Sequence, residues 1–101
     1  MQVKTRLFDI RMKDDSRHFG GVPEVVFFDT MREHLAKLEG AAETGFVTDW
    51  VTEMWLDFDY RGHSFSINNQ MGEYWFFVDE PQCRDEILTE VLDHFATVNP
   101  E

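Results

Sequence analysis

The stretch MWLDFDYRGHSFSIN, residues 54–68, leaves the chain little conformational choice. Met54, Leu56, Phe58 and Tyr60 alternate with Trp55, Asp57 and Asp59, the period of two that sends successive side chains to opposite faces of a strand. Arg61-Gly62 then reads as a two-residue turn, because glycine takes the positive φ that such turns require. Closing a hairpin there sets Tyr60 against His63, Phe58 against Phe65 and Leu56 against Ile67. In that register the apolar faces match, and a slip of one residue would turn every ring to the wrong side.

The rest of the chain is read outward from this hairpin. Asn69 to Gly72 forms the next turn and Glu73 to Val78 the next strand; with Ile67 facing Tyr74, the side chains of Tyr74, Phe76 and Val78 enter the core. Asp79-Glu80-Pro81-Gln82 has the composition of a helix start, with Asp79 as the cap and Pro81 in the first turn. Ile87, Leu88, Val91, Leu92 and Phe95 give that helix its apolar stripe as far as Phe95 or Ala96, with NPE as a frayed tail. Val3 to Met12 reads as a strand with charge on both faces, suited to a sheet edge. KDDSRHFGGVP reads as a loop, since Gly20-Gly21 and Pro23 punctuate regular structure. One helix is expected over residues 23–39, with Val25, Phe28, Met31, Leu35 and Leu38 on one stripe and Gly40 ending it. The competing reading extends VVFF and starts a shorter helix at the Thr30/Glu33 capping box. AAETG is a connector. The order β-α-β-β-β-α predicts a single α+β domain over residues 1–101, a two-layer sandwich. Its sheet is mainly antiparallel and four-stranded, with two helices on one face.

Ten Phe, three Trp and two Tyr in 101 residues supply the core. A single cysteine, Cys83, allows no internal disulfide, and its spacing to Ile87 and Val91 argues for burial. No signal-peptide pattern and no run of membrane-spanning length is present, so the cytoplasm is the expected location and no membrane partner is expected. The formal charge is −11, unevenly spread: residues 1–20 carry five Lys/Arg against three Asp/Glu, and the remainder four against 17. Such a field repels nucleic-acid phosphate, excludes nucleic acid as the expected partner, and favours basic ones. In size, acidity and mixed helix–sheet content the chain resembles acidic secretion chaperones, which as dimers offer apolar grooves to a client. It departs from them in showing two helices where their order has three.

Function is sought on the face that the helices leave uncovered. There the hairpin presents Trp55, Asp57 and Asp59, then Ser64, Ser66 and Asn68, and the next strand presents Glu73, Trp75 and Phe77. Rigid aromatic groups among acids suit an interface. The expected function is therefore a non-enzymatic protein-binding or adaptor domain acting through that face, including self-association as a homodimer. The N-terminal segment or the 13–22 loop could instead cover it. The candidate binding residues are Trp55, Asp57, Asp59, Arg61, His63, Glu73, Trp75 and Phe77, with Arg61 expected to pair with Asp59 or Glu73. An enzymatic alternative uses Asp57 and Asp59, roughly 7 Å apart along one strand face, with His63 as the titrating group. A further alternative is a chaperone-like or nucleic-acid-mimicking protein for a basic partner. No histidine or cysteine pair has zinc-ligand spacing, and Gly20-Gly21 lacks the length and lysine of a phosphate loop, so no metal and no cofactor are expected.

Overall fold

A computed structural model of the chain describes residues 7–49 and 52–97. In chain order it contains β1 (Ile10–Arg11), β2 (Arg17–Pro23), α1 (Phe28–Leu35), β3 (Ala42–Thr48), β4 (Met54–Tyr60), β5 (His63–Gln70), β6 (Glu73–Val78) and α2 (Asp85–Ala96). The strands form one sheet in the order β1-β2-β6-β5-β4-β3, with every pair antiparallel. The expected four-stranded sheet is thus corrected to six strands. The expected order is corrected as well, because two segments read as loop and connector are strands.

The first of these is β2, which contains the Gly20-Gly21 pair and ends on Pro23. Glycine serves close packing here. A Cβ on Gly20 would collide with Leu92 of α2, at 2.9 Å from Cδ2 and 3.1 Å from Cγ, so its absence lets the helix lie against the strand. A bulge between His18 and Gly20 turns Phe19 into the core, fully buried, while His18 faces the other way. The second is β3, an edge strand with little apolar alternation. It is held by its register against β4 and by Arg32, whose guanidinium meets Glu43 at 2.7 Å and lies 4.4 Å from the Phe46 ring centroid.

The central hairpin has the expected register: Tyr60 opposes His63, Phe58 opposes Phe65 and Leu56 opposes Ile67. The next pairing is displaced by two residues, with Ile67 opposite Phe76 and Asn69 opposite Tyr74, because the turn is only Met71-Gly72. An even displacement keeps the same side chains inside, and Tyr74, Phe76 and Val78 are all buried. Helix α1 is shorter than residues 23–39. Pro23 finishes β2 opposite Glu73, and Val25 and Phe27 are left exposed before the helix begins. Helix α2 starts after Arg84, and not at Asp79. Of the expected first strand, Val3 to Met12, residues 3–6 lie outside the described residues and the strand found is Ile10–Arg11; the NPE tail also lies outside the described residues.

Both helices pack on the same face. Phe28, Met31 and Leu35 of α1 and Leu88, Val91, Leu92 and Phe95 of α2 join the sheet's inner residues in one hydrophobic cluster. Phe95 sits near its centre, 5.2 Å from Phe76 and 6.3 Å from Phe58 between ring centroids. The helices are also tied to each other at their C-terminal ends. His34 Nε2 lies 2.7 Å from the His94 carbonyl and His94 Nε2 lies 2.6 Å from the His34 carbonyl, so each ring N–H can donate to the other residue's backbone. The two rings stack at 4.2 Å. Among the described residues no helix is long and apolar enough to cross a membrane.

Candidate functional site

The registers of β2 to β6 arrange the uncovered face in cross-strand rows. One row runs Val47, Trp55, Asn68, Trp75, Gly21, and the next runs Gly45, Asp57, Ser66, Phe77, His18. The acids of β4 are each engaged by the strand beside them. Ser66 Oγ donates to Asp57 Oδ1 at 2.8 Å, and Ser64 Oγ donates to Asp59 Oδ1 at 3.0 Å.

Half of this face is roofed by the N-terminal hairpin. His18, only 5% exposed, stacks on Trp75 at 4.5 Å and 18° and lies 5.0 Å from Phe77, with the Phe8 ring edge-on at 5.4 Å. Its Nε2 is 3.0 Å from the Gly20 carbonyl. Burial holds this imidazole below its usual pKa, against the opposing pull of that hydrogen bond and of Glu73. Between β1 and β2 the chain reverses over Met12–Ser16. There the Met12 N–H donates to the Ser16 carbonyl at 2.9 Å, Asp15 takes a φ of 72°, and Asp14 Oδ1 accepts both the N–H of Ser16 at 3.0 Å and its hydroxyl at 2.6 Å. Those hydrogen bonds hold the Asp14 carboxyl below its usual range.

The roof stops short of β4. Between the braced turn and Trp55 lies a cleft of about 490 Å³, with Met12, Trp55 and Phe77 as apolar walls, Ser66 and Asn68 on its floor and Lys13, Asp14 and Asp79 at its rim. Asp79 is held above the usual carboxylate range, first by partial desolvation and then by Asp14, Asp57, Asp59 and Glu80 around it. The field at the rim is therefore negative in spite of Lys13.

Asn68 is the exceptional residue of the site. It is 3% exposed, and neither its Oδ1 nor its Nδ2 has a hydrogen-bond partner among the described residues. Leaving a buried polar group unpaired costs about 1–3 kcal/mol, so such groups are uncommon in folded proteins. The adjacent Asn69 shows the ordinary arrangement. Its Oδ1 accepts from the Met54 N–H at 3.0 Å, and its Nδ2 donates to the Thr52 carbonyl at 2.6 Å.

Of the residues singled out from sequence, the structure gathers Trp55, Asp57, Asp59, Glu73, Trp75 and Phe77 on this face. Trp55 is 47% exposed, Trp75 and Phe77 are half-buried, and Trp75 Nε1 donates to Glu73 Oε1 at 3.2 Å. Arg61 and His63 lie elsewhere. Arg61 pairs with Glu90 of α2 at 2.8 Å, where Asp59 or Glu73 was expected. His63 belongs to the row of Tyr60 on the helix side of the sheet, with Nδ1 2.6 Å from Glu80 Oε1. Asp57 and Asp59 are thus separated from His63 by the sheet itself. Sequence reasoning offered the N-terminal segment or the 13–22 loop as a cover for this face, and part of that stretch does lie against it. It did not single out Met12–Ser16 or His18, gave Asp79 to a helix cap, and placed Asn68 on the face without a role. Among the described residues no group of three or more His, Cys, Asp or Glu side chains could hold a metal ion. Cys83 is buried, and burial pushes its thiol up.

Comparison with protein-family models, with curated proteins and with solved structures gave no match.

Proposed function

We propose that this chain is a non-enzymatic binding domain working through the aromatic and acidic face of its sheet, with a small molecule held in the cleft beside Trp55 as its occupant. The observation that carries the reading is the buried Asn68 amide, unpartnered among the described residues, in the lining of an apolar-walled cleft. The cleft has the concavity and size of small-ligand sites, which span roughly 300–1,000 Å³. A flat aromatic face would suit a protein surface better; the overhanging hairpin makes this one concave. The distribution of acids disfavours the enzymatic alternative, since Asp57 and Asp59 are bonded to serines and the candidate base His63 is on the far side of the sheet.

The test is a ligand-observed NMR screen of a chemically diverse fragment library, followed by amide shift mapping on the labelled protein. Binders should perturb Trp55, Asn68 and Phe77 together. Binders that map only elsewhere, or an absence of binders, would remove the cleft from consideration.

A second reading, self-association, draws on a different observation. Val47 and Trp55 are cross-strand neighbours, 69% and 47% exposed, and among the described residues β3 is the last strand of the sheet. Molar mass measured by light scattering should then rise with concentration and return to that of the monomer in Val47→Glu. A constant monomer mass would count against a second copy as the partner.

A further inference from the structure

We infer that the cleft selects a planar heterocycle bearing a lactam edge, a ring N–H beside a C=O, and lacking a phosphate. A free nucleobase such as uracil or hypoxanthine has this chemistry. The inference rests on the reading of the cleft as a small-ligand site and adds the class of ligand.

Three observations lead there. The Asn68 side chain offers one donor and one acceptor side by side, both buried and without a partner among the described residues. A lactam edge presents the complementary acceptor and donor at matching separation and satisfies both in two parallel hydrogen bonds. A carboxylate can only accept and an ammonium can only donate, so each would leave one Asn68 atom unpaired. The surroundings of the amide favour a flat ring. Trp55 and Trp75 are its cross-strand neighbours on this face, and Phe77 lines the same cleft. Aromatic walls bind planar π-systems by offset stacking or edge contact. The rim then rejects anions, because Asp14 and Asp79 stand at the mouth with Asp57 and Asp59 close behind, against Lys13 alone among the cleft's lining residues. A nucleobase without its phosphate, neutral or cationic, meets that field without repulsion.

The amide is closed off from solvent as it stands. Trp55, with nearly half its surface free, is the wall with room to move. Its ring turns aside as the heterocycle enters and settles against it afterwards. Binding should therefore change the Trp55 contribution to emission.

The experiment is calorimetric and fluorescence titration of the intact protein with uracil and hypoxanthine, with 1,3-dimethyluracil and 1-methylhypoxanthine as edge-blocked controls. The corresponding 5′-monophosphates test the rim, and Asn68→Leu tests the floor. The expected result is saturable binding with an emission change that Trp55→Phe removes. Blocking the edge should weaken binding at least tenfold, as should the phosphate, and Asn68→Leu should abolish it. The methylated ligands need no variant, so this comparison survives any folding defect. If fragments from the diverse library occupy the cleft while the lactams do not, or if blocked and free edges bind equally, the ligand class is wrong and the binding site stands. If nothing perturbs the cleft of the wild-type protein, both fail and Asn68 is simply hydrated.

Discussion

Replacing Asn68 by leucine should make the ligand-free protein more stable, although it alters a central strand. Leucine nearly reproduces the branched shape of asparagine, so it fills the same space and removes two polar atoms that gain nothing from burial. Relief of the unpaired amide is worth about 1–3 kcal/mol. Strand preference adds a few tenths within a scale that spans about 1 kcal/mol, and imperfect packing of the new methyl groups could take back about 1 kcal/mol. The net expectation is a gain of about 1–2 kcal/mol. For a domain of this size each kcal/mol moves the melting temperature by roughly 4–8 °C. Equilibrium urea unfolding followed by circular dichroism should show a higher midpoint with an unchanged slope, the sign of altered stability without altered compactness. Asn69→Leu provides the opposite sign one residue away. It strips the Met54 N–H and the Thr52 carbonyl of their partners, and should cost about 1–3 kcal/mol. A lower midpoint for Asn68→Leu, comparable to that of Asn69→Leu, would mean that the Asn68 amide supports the fold and is not held for a ligand.

Three further outcomes can be measured on the same instruments. Gly20→Ala should destabilise by about 1–3 kcal/mol in urea, because the added methyl must displace the buried Leu92 side chain from its packing against β2; an unchanged midpoint would mean that Leu92 repacks there without cost. Trp75→Ala should cost about 2 kcal/mol or more, since its ring is clasped by His18, whereas half-exposed Trp55→Ala should stay within about 1 kcal/mol; equal losses would contradict the half-roofed face. Burial holds both His18 and His34 below the ordinary imidazole value, so the unfolded chain binds protons first as the pH falls. Stability should then be full above about pH 6.5, fall below it, and level off once the folded-state values are passed; urea midpoints from pH 8 to 5 should show the fall, His34→Gln should flatten it, and a midpoint constant over that range would refute it.

The central hairpin was legible because one pattern decided it: strict alternation on both sides of Arg61-Gly62, with a buried face that penalises every odd slip. Even the displaced β5–β6 pairing left the inside and outside of each strand intact. The two missed strands were illegible for different reasons. In β2 the glycines have a purpose that no local window reveals, since Leu92, more than 70 residues away, requires the space above Gly20. In β3 the signal is weak because an edge strand with exposed side chains need not alternate. Its place is set by β4 and by the Arg32–Glu43 pair. The cap assigned to Asp79 failed because polar turn chemistry reads alike before a helix and at a cleft rim. Arg61 found Glu90 because α2 passes near the turn, a matter of tertiary placement.

The site arises where these two levels of information meet. Alternation along β5 assigns Asn68 to the face away from the helices, and a strand face of that kind is normally wet, with an amide there hydrated at no cost. Here Asn68 is buried instead, between Trp55 and Trp75 in its row. The turn from Met12 to Ser16 lines the same cleft, while His18 packs against Trp75 and Phe77 with Phe8 edge-on to it. Were this face only structural, the row Trp55, Asn68, Trp75 would be better completed by an apolar residue, since among the described residues nothing bonds to the amide. Instead, two rings flank a polar group of paired donor and acceptor. Real proteins tend to break the local rules of stability at functional sites, and offset the cost elsewhere. Here the offset is visible: His18 and Phe8 add aromatic burial on one side of the face, while the other side keeps the unpaired amide of Asn68 beside the half-exposed Trp55.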